Sequence, residues 1–179
     1  MAGPPRTEWA WIALGSSLGH RGRALACLRA ALEEAGAPAL LASSEVLTLP
    51  LGVTAQGYFH NQVLLVRGRR ARSPSEWLRL CTEAEERCGR RPTYRWGPRR
   101  ADADLLLLGR RGELSSDGDP AVPHPALLLR PFYRRLVAEI DPEVAGRAVA
   151  PAPGGGLSVG PAHPSSPGAG GDCPAGPGP

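Results

Sequence analysis

The chain has 179 residues, 42% of them hydrophobic and 21% charged, which suits one domain with a real core. Its formal charge is +4 and every one of its 21 basic residues is arginine, which excludes a G-x-x-x-x-G-K-[ST] phosphate loop and Schiff-base lysine chemistry. The charge excess is too small to argue for nucleic acid, but arginine suits bidentate phosphate recognition, so an anionic small molecule is the favoured partner class.

Residues 1–8 are expected to be a flexible start. Residues 9–14 (WAWIAL) read as a short buried strand, and Gly15 to Gly19 as a turn. Residues 21–35 place Leu25, Leu28, Ala31 and Leu32 at helical spacing, and Gly36 stops that helix. Residues 39–48 read as a second strand and 59–66 as a third, with a break between them at Pro50-Leu51-Gly52. Ser73-Pro74-Ser75-Glu76 has the pattern of a helix start: Ser73 as N-cap, Pro74 in the first turn and Glu76 three on. That helix runs to about Cys88 and closes at Gly89; 103–108 is a fourth strand and 131–140 a last short helix. The order β-α-β-β-α-β predicts an α+β, ferredoxin-like sandwich with an antiparallel sheet and helices on one face. The domain is predicted over 9–148, and the Gly/Pro-rich segment 149–179 is too poor in apolar residues to fold, so a disordered tail is expected.

Cys27, Cys81, Cys88 and Cys173 form no C-x-x-C, and buried free thiols are expected in preference to a metal site or a disulfide. No apolar run approaches a membrane span and the N-terminus has no long apolar core, so a cytoplasmic, reduced protein is expected, with no membrane or nucleic-acid partner.

The segment RWGPRRADADLLLLG (95–109) sets two carboxylates directly before four leucines. In a strand Asp102 and Asp104 point to the same side, with Cα atoms about 6–7 Å apart. That pair can share one Mg²⁺ or bracket two, which would clamp a polyphosphate. The plain alternative is a solvated strand end whose charges pair with Arg99 and Arg100. Arg90, Arg91, His124 and Arg130 nearby favour phosphoryl chemistry, in which preset cations stabilise developing charge. TLPLG (48–52) and FHN (59–61) add a ring and an amide suited to a flat heteroaromatic ligand.

Together these segments resemble the 6-hydroxymethyl-7,8-dihydropterin pyrophosphokinase family of folate biosynthesis over about residues 9–143. ALGSSLG resembles the family's x-L-G-S-N-L-G. SSEVLTLPLGVTAQGYFHNQV resembles its loop-and-strand segment ending in aromatic-x-N. EERCGRRPTYRWGPRRADADLLLLG resembles E-x-x-x-G-R-x-R…R-W-G-P-R-x-x-D-x-D, and VPHPALLLRPF resembles P-H-P-x-x-x-x-R-x-F. The resemblance implies transfer of the diphosphate of ATP to the pterin hydroxymethyl group, with release of AMP. It implies that Asp102 and Asp104 hold two Mg²⁺ ions and that Arg90 and Arg99 contact the phosphates. ATP contacts are implied for His124 and Arg130, with Arg91 nearby. Phe59 and Phe132 would stack on the two pterin faces and Asn61 would read its polar edge, while Thr48, Leu51 and Gly52 line the same pocket. Trp96 would ride on a loop that closes over both substrates. A monomer with small-molecule substrates only is expected.

The chain departs from the family pattern in three places. Ser17 replaces Asn of the first block, Pro92 replaces the second arginine of G-R-x-R, and Arg100, Ala101 and Ala103 flank the aspartates. No metal ligand is lost, but a missing phosphate contact is expected to lower ATP affinity or rate by roughly one or two orders of magnitude. A pterin- and ATP-binding relative with weak or no catalysis is therefore the alternative. Gly15-Ser16-Ser17-Leu18-Gly19 also matches the G-x-S-x-G nucleophile elbow, but that fold needs a larger parallel sheet than this length supplies. A ferredoxin-like nucleotide- or RNA-binding module would need more exposed aromatics than a 5% content offers.

Overall fold

A computed structural model describes residues 3–49, 57–91 and 97–147. Among the described residues ten elements follow one another: β1 (Thr7–Ser16), α1 (Arg21–Glu34), β2 (Ala39–Ala42), β3 (Val46–Thr48), β4 (Phe59–Arg72), α2 (Pro74–Arg87), β5 (Asp102–Leu108), α3 (Ala126–Leu129), α4 (Pro131–Ile140) and α5 (Pro142–Arg147). The sheet runs β2-β4-β1-β5, with β3 also on β4, and every pairing is antiparallel. This is the α+β, ferredoxin-like arrangement that the order of predicted elements implied.

The predicted strand over 39–48 is two strands, β2 and β3, laid end to end along β4. Ser43 makes the break. Its hydroxyl accepts the Val63 N–H at 2.9 Å, and its carbonyl accepts from Gln62 Nε2 at 2.8 Å. A side-chain oxygen thus takes a place in the ladder that a backbone carbonyl would otherwise fill. The third strand is longer than predicted, extending to Arg72, because β1 pairs along it as far as Thr7.

The helix starting at Ser73 forms as its pattern predicts. The Ser73 hydroxyl accepts the Glu76 N–H, and the Glu76 carboxylate accepts the Ser73 N–H at 2.8 Å. At its other end Gly89 takes φ +81, a conformation that closes the helix and suits a residue without Cβ.

Helices cover both faces of the sheet, which corrects the one-face expectation. On one face α1 and α2 bring Leu25, Leu28, Leu32, Trp77 and Leu80 onto Ile12, Leu14, Leu64, Val66 and Leu105. On the other, α3 to α5 bring Leu127, Tyr133, Leu136, Val137 and Val144 onto Trp11, Val63, Leu65, Leu106 and Leu107. The four leucines of β5 serve both cores because the β1–β5 register shifts between Trp11 and Ile12. One extra residue on β5 turns Leu106 and Leu107 to the same face.

The thiol expectation also needs correction. Cys27 of α1 and Cys88 at the C-cap of α2 form a disulfide, with Cα atoms 5.8 Å apart. Cys81 is a buried free thiol, as expected, and burial pushes its pKa upward. Cys173 and the predicted tail lie outside the described residues.

Candidate active site

Three strand ends meet on the α4 face of the sheet. In the register, Gly15 of β1 pairs with Asn61 of β4 on one side and with Asp102 of β5 on the other. Two residues back along β1, Ala13 pairs with Val63 and Asp104. The strand repeat thus sets Asp102 and Asp104 one above the other on one face. Gly15 leaves the space between. A Cβ there would lie 3.2 Å from Asn61 Oδ1 and 3.6 Å from Asp102 Cβ, so a side chain would crowd the amide off its place.

The cleft beside these residues has a volume of about 290 Å³ and includes Phe59, Arg99, Asp102, Asp104, His124 and Arg130 in its lining. Sequence reasoning singled out all six. Asp102 is held from two sides: Arg99 Nη1 donates to its Oδ1 at 2.6 Å and Arg90 Nη1 at 3.0 Å. Asp104 has neither an ion pair nor a hydrogen bond among the described residues. Burial, then the neighbouring Asp102 charge, pushes its pKa well above the ordinary carboxyl range, against the opposing pull of Arg99. A half-buried carboxylate that lacks a cationic partner beside one already paired is a site a cation would complete. Divalent magnesium commonly takes one or two carboxylates and leaves its other positions to water and phosphate, so this donor set fits it.

His124 is fixed by its backbone and its ring. Its N–H donates to Leu106 O at 2.9 Å, and its Nδ1 accepts the Ala126 N–H at 3.1 Å. Nδ1 is therefore the unprotonated nitrogen, and Nε2–H remains as the donor. Burial lowers its pKa, with Asp102 pulling the other way. The Arg130 guanidinium lies 4.7 Å from the centre of the Phe132 ring and 5.3 Å from that of Tyr133.

The amide end of the site is a short chain of polar contacts. Asn61 is 1% exposed. Its Nδ2 donates to Thr48 Oγ1 at 2.8 Å and to Phe59 O at 3.4 Å, and Thr48 is the strand partner of Phe59. Phe59, Asn61 and Thr48 are thus brought together as the sequence suggested. Phe132 stacks on Tyr133, with ring centres 4.2 Å apart, and does not line the described cleft. Arg91 sits beside Arg90 in a groove along α2 with Glu85, Ala103 and Asp104, so this groove shares Asp104 with the cleft. Leu51, Gly52, Trp96 and Pro92 lie outside the described residues.

Two residues that shape the site were given no role by the sequence reasoning, although Glu85 opens the E-x-x-x-G-R motif. Gly15 is one. The other is Glu85, 4% exposed, whose Oε1 accepts the Ala103 N–H at 2.7 Å and pairs with Arg90. It therefore ties the backbone between the two aspartates to a guanidinium that also holds Asp102. Burial pushes its pKa up to about 7, while the Ala103 N–H and Arg90 pull it down. The signal was a carboxylate four residues after Cys81 on the apolar stripe of α2, where a charge has no ordinary reason to be.

The chain matches the family model described as 7,8-dihydro-6-hydroxymethylpterin-pyrophosphokinase (HPPK) over residues 11–142. It is 35% identical over 140 residues to the 2-amino-4-hydroxy-6-hydroxymethyldihydropteridine pyrophosphokinase of Bacillus subtilis, covering 78% of this chain and 81% of that one. It is 34% identical over 139 residues to the protein of the same name from Mycobacterium tuberculosis, covering 73% and 71%. A folate synthesis bifunctional protein of Chlamydia trachomatis is 31% identical over 146 residues, covering 76% of this chain and 31% of its own length.

Proposed function

Since the chain belongs to the 7,8-dihydro-6-hydroxymethylpterin pyrophosphokinase family, we propose that it performs the reaction for which that family is named, at the cleft between Phe59 and Asp104. The pterin hydroxymethyl oxygen attacks the β-phosphorus of ATP, AMP leaves, and the pterin carries away the diphosphate. The observation that carries this reading is the pair Asp102 and Asp104 on one face of β5, beside an arginine-lined cleft with an amide at its other end.

Each residue has a share in that chemistry. Asn61 presents an amide edge, fixed by Thr48, to the polar edge of a pterin, and Phe59 gives the ring a flat apolar surface. Phe132 supplies the opposite surface. Leu51, Gly52 and Trp96 complete the pterin pocket. Arg99 and Arg90, already gathered at Asp102, lie where phosphate charge would develop, and Arg130, Arg91 and His124 Nε2–H add donors for the nucleotide. Two Mg²⁺ ions held by Asp102 and Asp104 would supply charge neutralisation on the ATP phosphates. The chain is taken to act as a cytoplasmic monomer on small molecules alone. The domain is taken as 9–148, with 149–179 as an appended low-complexity tail.

The test is AMP release from ATP and Mg²⁺, with and without 6-hydroxymethyl-7,8-dihydropterin, on wild type and Asp104→Ala. Pterin-dependent AMP that is lost in the variant supports both the reaction and the carboxylate's role. AMP that forms without pterin, or persists at the same rate in the variant, overturns the reading.

A further inference from the structure

Behind the active site, on the α1–α2 side, lies a second cleft of about 470 Å³ that the reaction does not use. Its walls include His20, Arg23, Arg87 and Arg100, and both members of the disulfide, Cys27 and Cys88, line it. Arg87 is engaged by Glu34; among the described residues no carboxylate lines the cleft itself. Cys27 is an exposed residue, whereas Cys88 is 8% exposed. An accessible disulfide residue in a basic pocket has two properties. It draws anionic thiolates toward the bond, and it stabilises the thiolate that leaves when the bond opens.

The position in the chain connects this cleft to the catalytic one. Cys88 is two residues before Arg90, and the turn between them is closed by Gly89 N–H to Glu86 O at 3.0 Å and Arg90 N–H to Glu85 O at 3.0 Å. Arg100 adjoins Arg99, and its Cδ would lie 3.5 Å from a Cβ on Gly89. The two guanidiniums that hold Asp102 therefore each follow or precede a residue of the disulfide cleft by one position in the chain.

We propose that the Cys27–Cys88 cleft is a thiol–disulfide exchange site for anionic low-molecular-weight thiols, and that its redox state sets how firmly Arg90 and Arg99 are held for the nucleotide. In the first step a thiolate RS⁻ attacks Cys27 Sγ, the Cys27–Cys88 bond breaks, and Cys88 leaves as a thiolate beside the arginines. A second RS⁻ attacks the external sulfur of the mixed disulfide, releasing RSSR and the Cys27 thiolate. Two thiolates are oxidised to one disulfide, and their two electrons pass to the protein, which is left with the Cys27 and Cys88 thiolates. With the bond open, the Cys88–Gly89–Arg90 turn loses its tether to α1. The exchange chemistry stands on the cleft alone; its consequence for nucleotide rests on the pyrophosphokinase reading.

The full-length protein is oxidised, and the state of Cys27 and Cys88 is read by peptide mass mapping after alkylation. Reduction by glutathione is compared with reduction by neutral 2-mercaptoethanol at equal thiolate concentration. Glutathione should be faster, its advantage should shrink with salt, and Arg23→Ala should slow it alone. Equal rates for both thiols, or free thiols at Cys27 and Cys88 under oxidising conditions, would overturn the exchange site. MgATP binding is then measured by calorimetry in both states. Reduction should weaken it by about fivefold or more, the lower range for coupled sites, and the Cys27→Ser, Cys88→Ser double variant should match the reduced chain without responding to thiol. Identical affinity in both states would overturn the coupling. Calorimetry reads this without catalysis, so a chain that binds MgATP in a redox-dependent way yet releases no AMP would refute the reaction and leave the exchange site standing.

Discussion

Glu85→Gln is expected to make the metal-free chain more stable near neutral pH and less active. Glu85 is buried on α2, and burial raises its carboxyl from 4.5 to about 7 even with Arg90 and the Ala103 N–H beside it. Between those two values the folded chain holds a proton that the unfolded chain has released. Stability from this group is therefore fullest below the unfolded value, falls as pH rises, and levels off above the folded one. The gap corresponds to at most about 3 kcal/mol. Glutamine keeps an oxygen for the Ala103 N–H and has nothing to titrate, so it removes the slope. Urea denaturation in chelator from about pH 4 to 8 should show the variant gaining roughly 1–3 kcal/mol on wild type across that window. Activity should move the other way. Arg90 loses its anionic partner on α2, and the lost charge-assisted bond should lower kcat/KM for ATP about tenfold. Stability curves for the two proteins that run parallel from acid to alkaline pH would show that folding leaves the Glu85 pKa unshifted, and the burial argument would fail.

Asp104→Asn should raise the melting temperature in chelator, since it removes a carboxylate that burial and Asp102 disfavour, while lowering pterin-dependent AMP release by about a hundredfold or more. On the proposed reading, Mg²⁺ displaces a proton from the same carboxyl in wild type. Because that pKa is raised, the ionised form gains as pH rises, so the Mg²⁺ needed for half-maximal rate should increase as pH falls; a requirement independent of pH would refute this. Gly15→Ala places a methyl 3.2 Å from Asn61 Oδ1, and the displaced amide should raise the pterin KM by about tenfold with a smaller effect on ATP. Ser73→Ala should lower unfolding stability by about 1 kcal/mol with both KM values unchanged, because the capping box lies at the far end of α2 from Glu85.

What the sequence revealed about the site is what strand and helix periodicity can carry. Asp102 and Asp104 share a face because alternate residues of any strand do, so their pairing needed no tertiary information. The Ser73 cap was legible because all its partners lie within four residues. Residue types with obvious chemistry, such as His124 and Arg130, could be named as candidates before their places were known, and both line the cleft. Arg91 and Phe132 were named on the family resemblance; Arg91 lines the neighbouring groove that shares Asp104 with the cleft, and Phe132 packs against Tyr133. Type and spacing nominate a side chain; the direction in which its element packs decides where it goes.

The features that escaped are those set by long-range register. Gly15 matters only because β4 and β5 flank β1 in a register that brings Asn61 and Asp102 to the same row, and nothing within the segment around Gly15 encodes that. The Cys27–Cys88 bond joins residues 61 positions apart. It forms because α1 and α2 lie side by side on one face, a consequence of topology that cysteine spacing does not carry. Of the second helical layer only α4 was predicted, over 131–140, because α3 is four residues long and α5 six, too short for a helical period to stand out. The β5 bulge gave a further reason for that second layer. A run of four leucines reads as one buried strand, yet the extra residue turns Leu106 and Leu107 together to the face opposite α1 and α2. Two adjacent leucines on the same side need cover, and α4 with α5 supplies it. The same layer carries Arg130 and, through His124 and α3, forms the wall of the cleft facing the aspartates. One shifted register thus creates both the second core and the side of the active site that closes against it.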